Sequence, residues 1–156
     1  HLMYGYHGPA NKAPDKKPNP RAIVEYKNSK LALNHHCVGA FCYYHRNIIK
    51  VVGYNDEKFL NAWEHVEHSY RCVKAGLLPA YWWWPDVANS YELLDEQACS
   101  EEDSAIRPRS DWKMNIQRGA EYFITKHDYP PVGIPDIPEK KVLERLGLIN
   151  KHYSKS

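Results

Sequence analysis

The chain has 156 residues and a mass of 18.2 kDa, which is the length of one ordinary domain. Its 21 basic and 19 acidic residues give a net charge of +2, which excludes a strongly basic nucleic-acid binder and an acidic tail. Hydrophobic residues make up 43% of the sequence, which excludes wholesale disorder, and the lack of a long apolar run predicts no membrane insertion.

Residues 1–28 are predicted to form an extended, proline-rich arm. Proline lacks an amide donor and restricts the residue before it, so this segment is unsuited to a helix. Tyr4 and Tyr6 near the tip of the arm predict contact with a partner, and a frayed terminus is the alternative. The prolines of the arm are Pro9, Pro14, Pro18 and Pro20.

Apolar residues recur at helical spacing after the arm, which predicts a helical domain over residues 29–150 and a tail over 151–156. The first helix is expected from Ser29 to Gly53 and the second from Asn55 to Gly76. Their connection is short, so they are expected to pair as an antiparallel hairpin. The two apolar stripes are Val38, Phe41, Cys42, His45, Ile48, Ile49 and Val52, then Phe59, Trp63, Val66, Tyr70 and Val73.

Three further helices complete the predicted domain. One begins at Asp86, one runs from Ser110 to Pro130, and a short one runs from Pro138 to Gly147. Runs of β-forming residues with a period of two are absent, so the predicted fold class is all-α, an array of stacked helical hairpins. The apolar stripes are Val87, Tyr91, Leu94 and Ala98, then Trp112, Ile116, Ala120 and Phe123, then Val142, Leu143 and Leu146.

Two segments resemble a family of helical repeats. Val66–Pro79, which ends in Lys-Ala-Gly-Leu-Leu-Pro, resembles the second helix of a pentatricopeptide repeat, and Pro85–Leu94 is similar to the entry into the next repeat. By mass, helical hairpins and aromatic runs, the chain resembles the extra subunits that euglenozoans attach to the alpha subunit of mitochondrial F1-ATPase. This resemblance implies a non-catalytic subunit in the mitochondrial matrix, held at the inner membrane through the ATP synthase complex.

A run of aromatic residues supplies the other candidate contacts with a partner. Successive helical residues point about 100° apart, so three adjacent tryptophans cannot all face one core. Tryptophan is enriched where interfaces concentrate their binding energy, which predicts a docking role. The alternative is that two tryptophans fill a junction between hairpins and the third lies on the surface. The run is Tyr81, Trp82, Trp83 and Trp84.

Histidine and cysteine residues leave two arrangements open, although their spacing favours neither. A zinc ion would take His36, Cys37, His68 and Cys72, and the same hairpin would allow a Cys37–Cys72 disulfide. No Cys-x-x-Cys or His-x-x-x-His pair is present, and a reducing compartment disfavours the disulfide. We expect no metal, no cofactor and no catalytic residue, because nucleophile-elbow and phosphate-loop motifs are absent.

The competing hypothesis is an RNA-binding helical-repeat protein or a mitoribosomal component. Aromatic and basic residues are interleaved near residue 45, a composition that suits stacking on single-stranded RNA. The nearly balanced charge and the absence of a continuous basic stripe make RNA the less favoured partner. The residues concerned are Tyr43, Tyr44, His45, Arg46 and Lys50.

Overall fold

Strands and helices both occur in the part of the chain that the computed structural model describes, residues 3–5, 19–26, 28–35, 42–77, 83–93, 108–131 and 138–153. The strands are β1 (Met3–Gly5), β2 (Ala22–Tyr26), β3 (Ser29–Asn34), β4 (Cys42–Tyr44) and β5 (Trp84–Val87). The helices are α1 (Arg46–Val52), α2 (Glu64–Lys74), α3 (Ser90–Leu93), α4 (Trp112–His127) and α5 (Glu139–Tyr153).

The prediction of an all-α array of stacked hairpins is wrong, because β3 is the central strand of an antiparallel sheet. Leu31, Ala32 and Leu33 are all buried, so this strand meets protein on both faces. A strand buried on both sides lacks the polar alternation by which a strand is recognised in a sequence. Within the described part of the predicted first helix, α1 is the helical segment, and it ends just before Gly53.

The main sheet has the order β2–β3–β5 and its neighbouring strands are antiparallel. Tyr26 lies opposite Ser29, so the boundary predicted at residue 28 falls inside the β2–β3 hairpin. Pro85 is tolerated in β5 because β5 is an edge strand among the described residues, and a proline cannot donate to a second neighbour. A separate antiparallel pair joins β1 to β4, with Gly5 opposite Cys42.

The adjacent residues Trp83 and Trp84 belong to two different cores. Successive residues of an extended strand point to opposite faces of a sheet, so each tryptophan packs on its own side. The Trp83 core joins the sheet to α5, and the Trp84 core joins it to α2 and α4. The buried members are Leu33, Trp83, Val142 and Leu146 in the first core, and Phe59, Trp84 and Phe123 in the second.

Helices α2 and α4 approach each other closely at their aromatic residues. The rings of Tyr70 and Phe123 have their centroids 5.5 Å apart. Nε1 of Trp63 donates a hydrogen bond of 2.9 Å to the carbonyl oxygen of Ile116. A Cβ atom on Gly119 would lie 2.9 Å from Cδ1 of Trp63, so only glycine fits at this crossing without a shift of the neighbour.

The second and fifth predicted helices are present with different ends. The second begins at Glu64 rather than Asn55, because Asn61 and Trp63 have positive φ angles that interrupt a helical backbone. The fifth predicted helix is α5, which continues past Gly147 to Tyr153. A glycine weakens the interior of a helix without necessarily ending it. Among the helices of the described ranges, none combines the length and the apolar character needed to cross a bilayer.

The third and fourth predicted helices also have different bounds. Asp86, the predicted N-cap of the third, lies in β5, and its carboxylate accepts a hydrogen bond from the hydroxyl of Ser90, where α3 begins. The fourth corresponds to α4 and ends at Asp128, whose left-handed backbone stops the helix before Pro130. The predicted contacts beyond Leu93, at Leu94 and Ala98, lie outside the described residues.

Candidate functional site

An open groove with a volume of about 700 Å³ lies at the junction of β4 and α1. Tyr44 is the last residue of β4, His45 precedes α1, and Tyr54 follows its C-terminal glycine. Arg46 and Lys50 are one helical turn apart and therefore lie on the same face of α1. A single strand–helix unit thus supplies the lining residues that the structure describes, and we call this site the α1 groove: Tyr44, His45, Arg46, Ile49, Lys50 and Tyr54.

The α1 groove is basic and aromatic. Arg46 and Lys50 are both exposed, and the lining residues within the described part of the chain include no acidic one. The side chain of Tyr54 is 81% exposed, so its ring is accessible to a ligand. The ring of Tyr44 is held in place by an edge contact with the ring of His68, with centroids 4.6 Å apart. This composition favours an anionic ligand that also carries a flat or apolar part.

His45 fixes the start of α1 from within the groove. Its backbone is extended, with φ −67° and ψ 137°, as is usual for an N-cap residue. Its Nδ1 accepts a hydrogen bond of 3.3 Å from the backbone amide of Asn47. This bond fixes the position of the His45 ring at the start of α1.

The C-terminal end of α1 is held by two side chains of α2. Arg71 donates from one guanidinium nitrogen to the carbonyl oxygen of Val52 and from another to that of Tyr54, the latter at 2.7 Å. Nε2 of His68 lies 2.9 Å from the carbonyl oxygen of Gly53. Gly53 has φ 80° and ψ −173°, a conformation that essentially only glycine adopts. These bonds fix the backbone that carries Tyr54.

Arg71 is in turn held by a carboxylate at the centre of the molecule. Glu67 is fully buried, and both of its carboxylate oxygens lie 2.9 Å from Nε of Arg71. Nζ of Lys126 and Nε2 of His127, both on α4, lie 2.8 Å and 3.0 Å from Glu67 Oε1. A buried carboxylate is tolerated when it is paired and hydrogen-bonded in this way.

A second carboxylate completes this arrangement. Lys126 also lies 2.6 Å from Asp56, in the segment between α1 and α2, and the hydroxyl of Tyr122 donates to the same Asp56 oxygen at 2.9 Å. Two helices and the segment after α1 are therefore joined by charge-assisted hydrogen bonds. We call this set the Glu67 cluster: Asp56, Glu67, Arg71, Tyr122, Lys126 and His127.

The pKa values of the cluster carboxylates reflect this pairing. Burial alone would raise the pKa of Glu67, but hydrogen bonds from Lys126 and His127 and the charge of Arg71 outweigh it and lower the pKa. For Asp56, burial likewise acts upward, and the hydrogen bonds led by that of Lys126 bring the pKa down to about 2. Both carboxylates are therefore ionised at neutral pH.

The basic groups of the cluster divide into two kinds. Burial acts to lower the pKa of Lys126, but its hydrogen bonds to Asp56 and Glu67 raise it overall. For His127, burial outweighs the attraction of Glu67 and lowers the pKa. His127 is therefore a neutral donor at neutral pH, and the charges of two carboxylates are balanced by Arg71 and Lys126. The arrangement is suited to holding helices together.

Cys72 and His68 lie side by side on α2, with Sγ and Nδ1 3.8 Å apart. Burial raises the pKa of the Cys72 thiol to about 11, so it is protonated at neutral pH. Burial also lowers the pKa of His68. Within the described residues, no group of three or more His, Cys, Asp or Glu side chains is placed to hold a metal ion. His36 and Cys37, the other two residues of the zinc and disulfide alternatives, lie outside those residues.

The residues predicted to contact a partner fall into three groups. Trp83 and Trp84 are 1% and 3% exposed and fill the two cores, so the structure gives them a role in packing. Tyr4 lies in β1, but its side chain is outside the described part of the structure. Tyr6, Tyr81 and Trp82 also lie outside it, so their contacts with a partner stay predictions.

The structure brings together four of the five residues named for the RNA alternative, since Tyr44, His45, Arg46 and Lys50 line the α1 groove. The side chain of Tyr43 is not described. Sequence reasoning missed Tyr54. The signal that the sequence contains is an aromatic residue directly after the glycine that is predicted to end a helix. It also missed Glu67, although a Glu-x-x-x-Arg spacing on a predicted helix indicates an ion pair.

The partners of Glu67 on α4 could not be found in this way. Lys126 and His127 lie far from Glu67 in the sequence, and no spacing rule joins residues of helices that meet only in the fold.

In the comparisons with known proteins, the chain matches no family model, no curated protein and no solved structure.

Proposed function

We propose that this protein is a non-catalytic subunit that docks on a larger protein assembly. The observation that carries the proposal is the amount of large apolar side chain left at the surface. Within the described residues, eleven large hydrophobic side chains are exposed, as many as the hydrophobic residues that are buried. Single exposed apolar residues are ordinary, so the proposal depends on those that come from one short segment, Val51 and Leu60, because apolar residues grouped at a surface are typical of protein interfaces.

The proposed docking surface is formed by Val51, at the end of α1, and Leu60, before the start of α2. Val51 and Leu60 are 65% and 55% exposed. In the chain, one precedes and the other follows residues 52–54, whose backbone accepts hydrogen bonds from Arg71. Side chains on a backbone that is already fixed lose less conformational entropy when they bind. In the proposed complex, Tyr4, Tyr6, Tyr81 and Trp82 supply further contacts, as the sequence predicts.

The first assembly to test is the F1 head of mitochondrial ATP synthase, through its alpha subunit. Support for it comes from the sequence resemblance alone, which also supports a location in the mitochondrial matrix. The stacked helical hairpins that this resemblance implies are not the fold of the described residues. The assembly must therefore be identified by isolating it.

The proposal is tested by native purification of the affinity-tagged full chain from its own cells, followed by mass spectrometry. F1 subunits in a fixed ratio to the chain are the expected result. The double variant Val51→Ser with Leu60→Ser should lose the partner, whereas Leu148→Ser, at another exposed apolar residue on α5, should keep it. A chain that is recovered alone, or with ribosomal RNA and mitoribosomal proteins, would contradict the F1 assignment.

The thiol chemistry of the described residues supports a role without catalysis. Cys72 lies beside a histidine, as a nucleophile would, but it is buried and its pKa is raised. The carboxylates of the Glu67 cluster are likewise occupied by Arg71 and Lys126. A group that already donates or accepts inside a closed network is poorly placed to exchange protons with a substrate.

A further inference from the structure

We propose that the α1 groove is a binding site for single-stranded nucleic acid, an activity that goes beyond docking on a protein assembly. In this site Arg46 and Lys50 contact backbone phosphates, and an unpaired base stacks on Tyr54. Four observations carry the inference: the charge of the groove, the exposure of Tyr54, the apolar lining residue Ile49, and the fixed backbone after α1.

The charge of the groove selects an anion. Arg46 and Lys50 project from the same face of α1, and both are exposed to solvent. Because none of the lining residues that the structure describes is acidic, no side chain among them repels a phosphate or forms an ion pair with the two cations. Arginine and lysine together are the usual contacts to nucleic-acid phosphates.

The aromatic residues select a ligand with a flat ring. Tyr54 is the most exposed of the large hydrophobic side chains in the described residues, at 81%. An exposed tyrosine next to cations is the composition of surfaces that bind single strands, where bases stack on aromatic rings regardless of sequence. Ile49 lies between the two cations in sequence and gives the groove an apolar lining residue for the edge of a base.

A duplex fits this site poorly. The bases of a duplex are already stacked on one another, so Tyr54 would gain no base to stack on unless a pair opened. Helix α1 has only seven residues, and its exposed cations contribute two phosphate contacts, too few to hold a duplex by charge alone. We therefore expect a preference for single strands with little dependence on base sequence.

The groove is also arranged before the ligand arrives. Arg71 and His68 hold the three carbonyl oxygens of Val52, Gly53 and Tyr54, and the Glu67 cluster holds Arg71. A fixed backbone lowers the entropic cost of binding, so a small number of contacts gives measurable affinity.

The test is fluorescence anisotropy of the full chain with a labelled oligouridine, over a series of salt concentrations. Oligothymidine, a duplex of equal length and polyglutamate are the comparison ligands. We expect both single strands to bind more tightly than the duplex, and polyglutamate to bind least. Equal affinity for oligouridine and oligothymidine would show that the groove recognises the phosphates and bases that RNA and DNA share. A higher affinity for oligouridine would show that the groove also recognises the 2′-hydroxyl groups of RNA.

Matched variants separate stacking from charge. Tyr54→Ala should lower the affinity for single strands roughly 5- to 100-fold, and Tyr129→Ala, at a tyrosine outside the groove, should not change it. Lys50→Gln should lower the slope of log affinity against log salt by about 0.7, whereas Lys140→Gln on α5 should leave the slope unchanged. Far-ultraviolet circular dichroism of each variant establishes that it is folded.

Three results would overturn the proposal. They are the absence of oligouridine binding at low salt, equal binding of polyglutamate and oligouridine, and equal effects of Tyr54→Ala and Tyr129→Ala in folded protein. Equal binding of polyglutamate would assign the groove to acidic protein segments instead. None of these results bears on co-purification with a protein assembly, so the docking proposal is tested separately.

Discussion

The Glu67 carboxylate has no contact with solvent, and its charge is compensated by Arg71 and Lys126, which both reach the surface in part. We expect Glu67→Gln to destabilise the protein by about 3 kcal/mol, because it leaves two cations without their shared anion in a buried site. The measurement is the free energy of unfolding from urea titration followed by circular dichroism.

A matched control exists on α4. Glu121 is exposed and accepts a hydrogen bond from Gln117, so Glu121→Gln should change the free energy of unfolding by less than about 0.5 kcal/mol. Equal stability of the Glu67→Gln variant and the unmodified protein would contradict the role given to the cluster.

Acid should destabilise the fold in two steps. Burial lowers the pKa of His68 and of His127 in the folded chain, so below about pH 6.5 the unfolded chain binds protons that the folded chain does not, and stability falls. The pKa values of Asp56 and Glu67 are lowered as well, so their contribution is present at neutral pH and is lost as the pH falls below about 5.

Urea midpoints measured between neutral pH and about pH 4 should therefore decrease steadily as the pH falls. His127→Gln keeps a side-chain N–H near Glu67 but removes one titrating group, so the first step should become smaller in this variant. A midpoint that stays constant down to about pH 5 would refute the assignment of neutral, buried histidines.

At the scale of elements, the crossing of α4 over Trp63 leaves no space for a side chain at Gly119. We expect Gly119→Ala to destabilise the protein by about 1–3 kcal/mol, because the new methyl group would overlap the indole ring of Trp63 and lie only 3.3 Å from the carbonyl oxygen of Ala62. The same substitution at Gly147 on α5 meets nothing within 4 Å, and there it should stabilise by about 0.5–1 kcal/mol.

Thermal unfolding of the two variants under identical conditions provides the measurement. The substitution is chemically the same and both glycines are helical, so opposite shifts of the melting temperature can come only from their surroundings. Shifts of the same sign would mean that the close approach of α4 to Trp63 does not exist in solution.

The elements that sequence spacing predicts correctly are those that bury one face. Helices α2, α4 and α5 each present one stripe to a core, and a period near 3.6 makes such stripes visible. Strand β3 is buried on both faces, so Leu31-Ala-Leu33 resembled the continuation of a helical pattern. Strand β3 is a strand because it pairs with β5, which is far away in the sequence. No local pattern of residues predicts that pairing.

The candidate site was predictable to a similar degree. The interleaved aromatic and basic residues from Tyr43 to Lys50 predict a surface for single-stranded RNA from composition alone, and four of the five line the α1 groove. The position of Tyr54 depends on Arg71, which is held by Glu67, which is held by α4. Such a chain of contacts arises from tertiary packing, and only its first link, the Glu67–Arg71 spacing, is local.

For the molecule as a whole, the sheet is the element that connects the two cores. Trp83 and Trp84 are neighbours in the chain, yet one packs against α5 and the other against α2 and α4. Loss of either core therefore exposes one face of the same β3–β5 pair. This arrangement predicts that the two cores unfold together rather than as separate units.

Leu146→Ala tests this coupling. Leu146 is 6% exposed in the Trp83 core, so its truncation should cost about 2–5 kcal/mol, whereas Leu148→Ala, at a residue 68% exposed on the same helix, should cost little. If the sheet couples the cores, Leu146→Ala lowers the urea midpoint of tryptophan fluorescence and of circular dichroism by the same amount. If the α1 groove binds single-stranded nucleic acid as proposed, Leu146→Ala should also lower the urea midpoint for loss of that binding, because Tyr44 of the groove packs against the Trp84 core. A first transition that removes α5 while the groove still binds would show that the cores are independent.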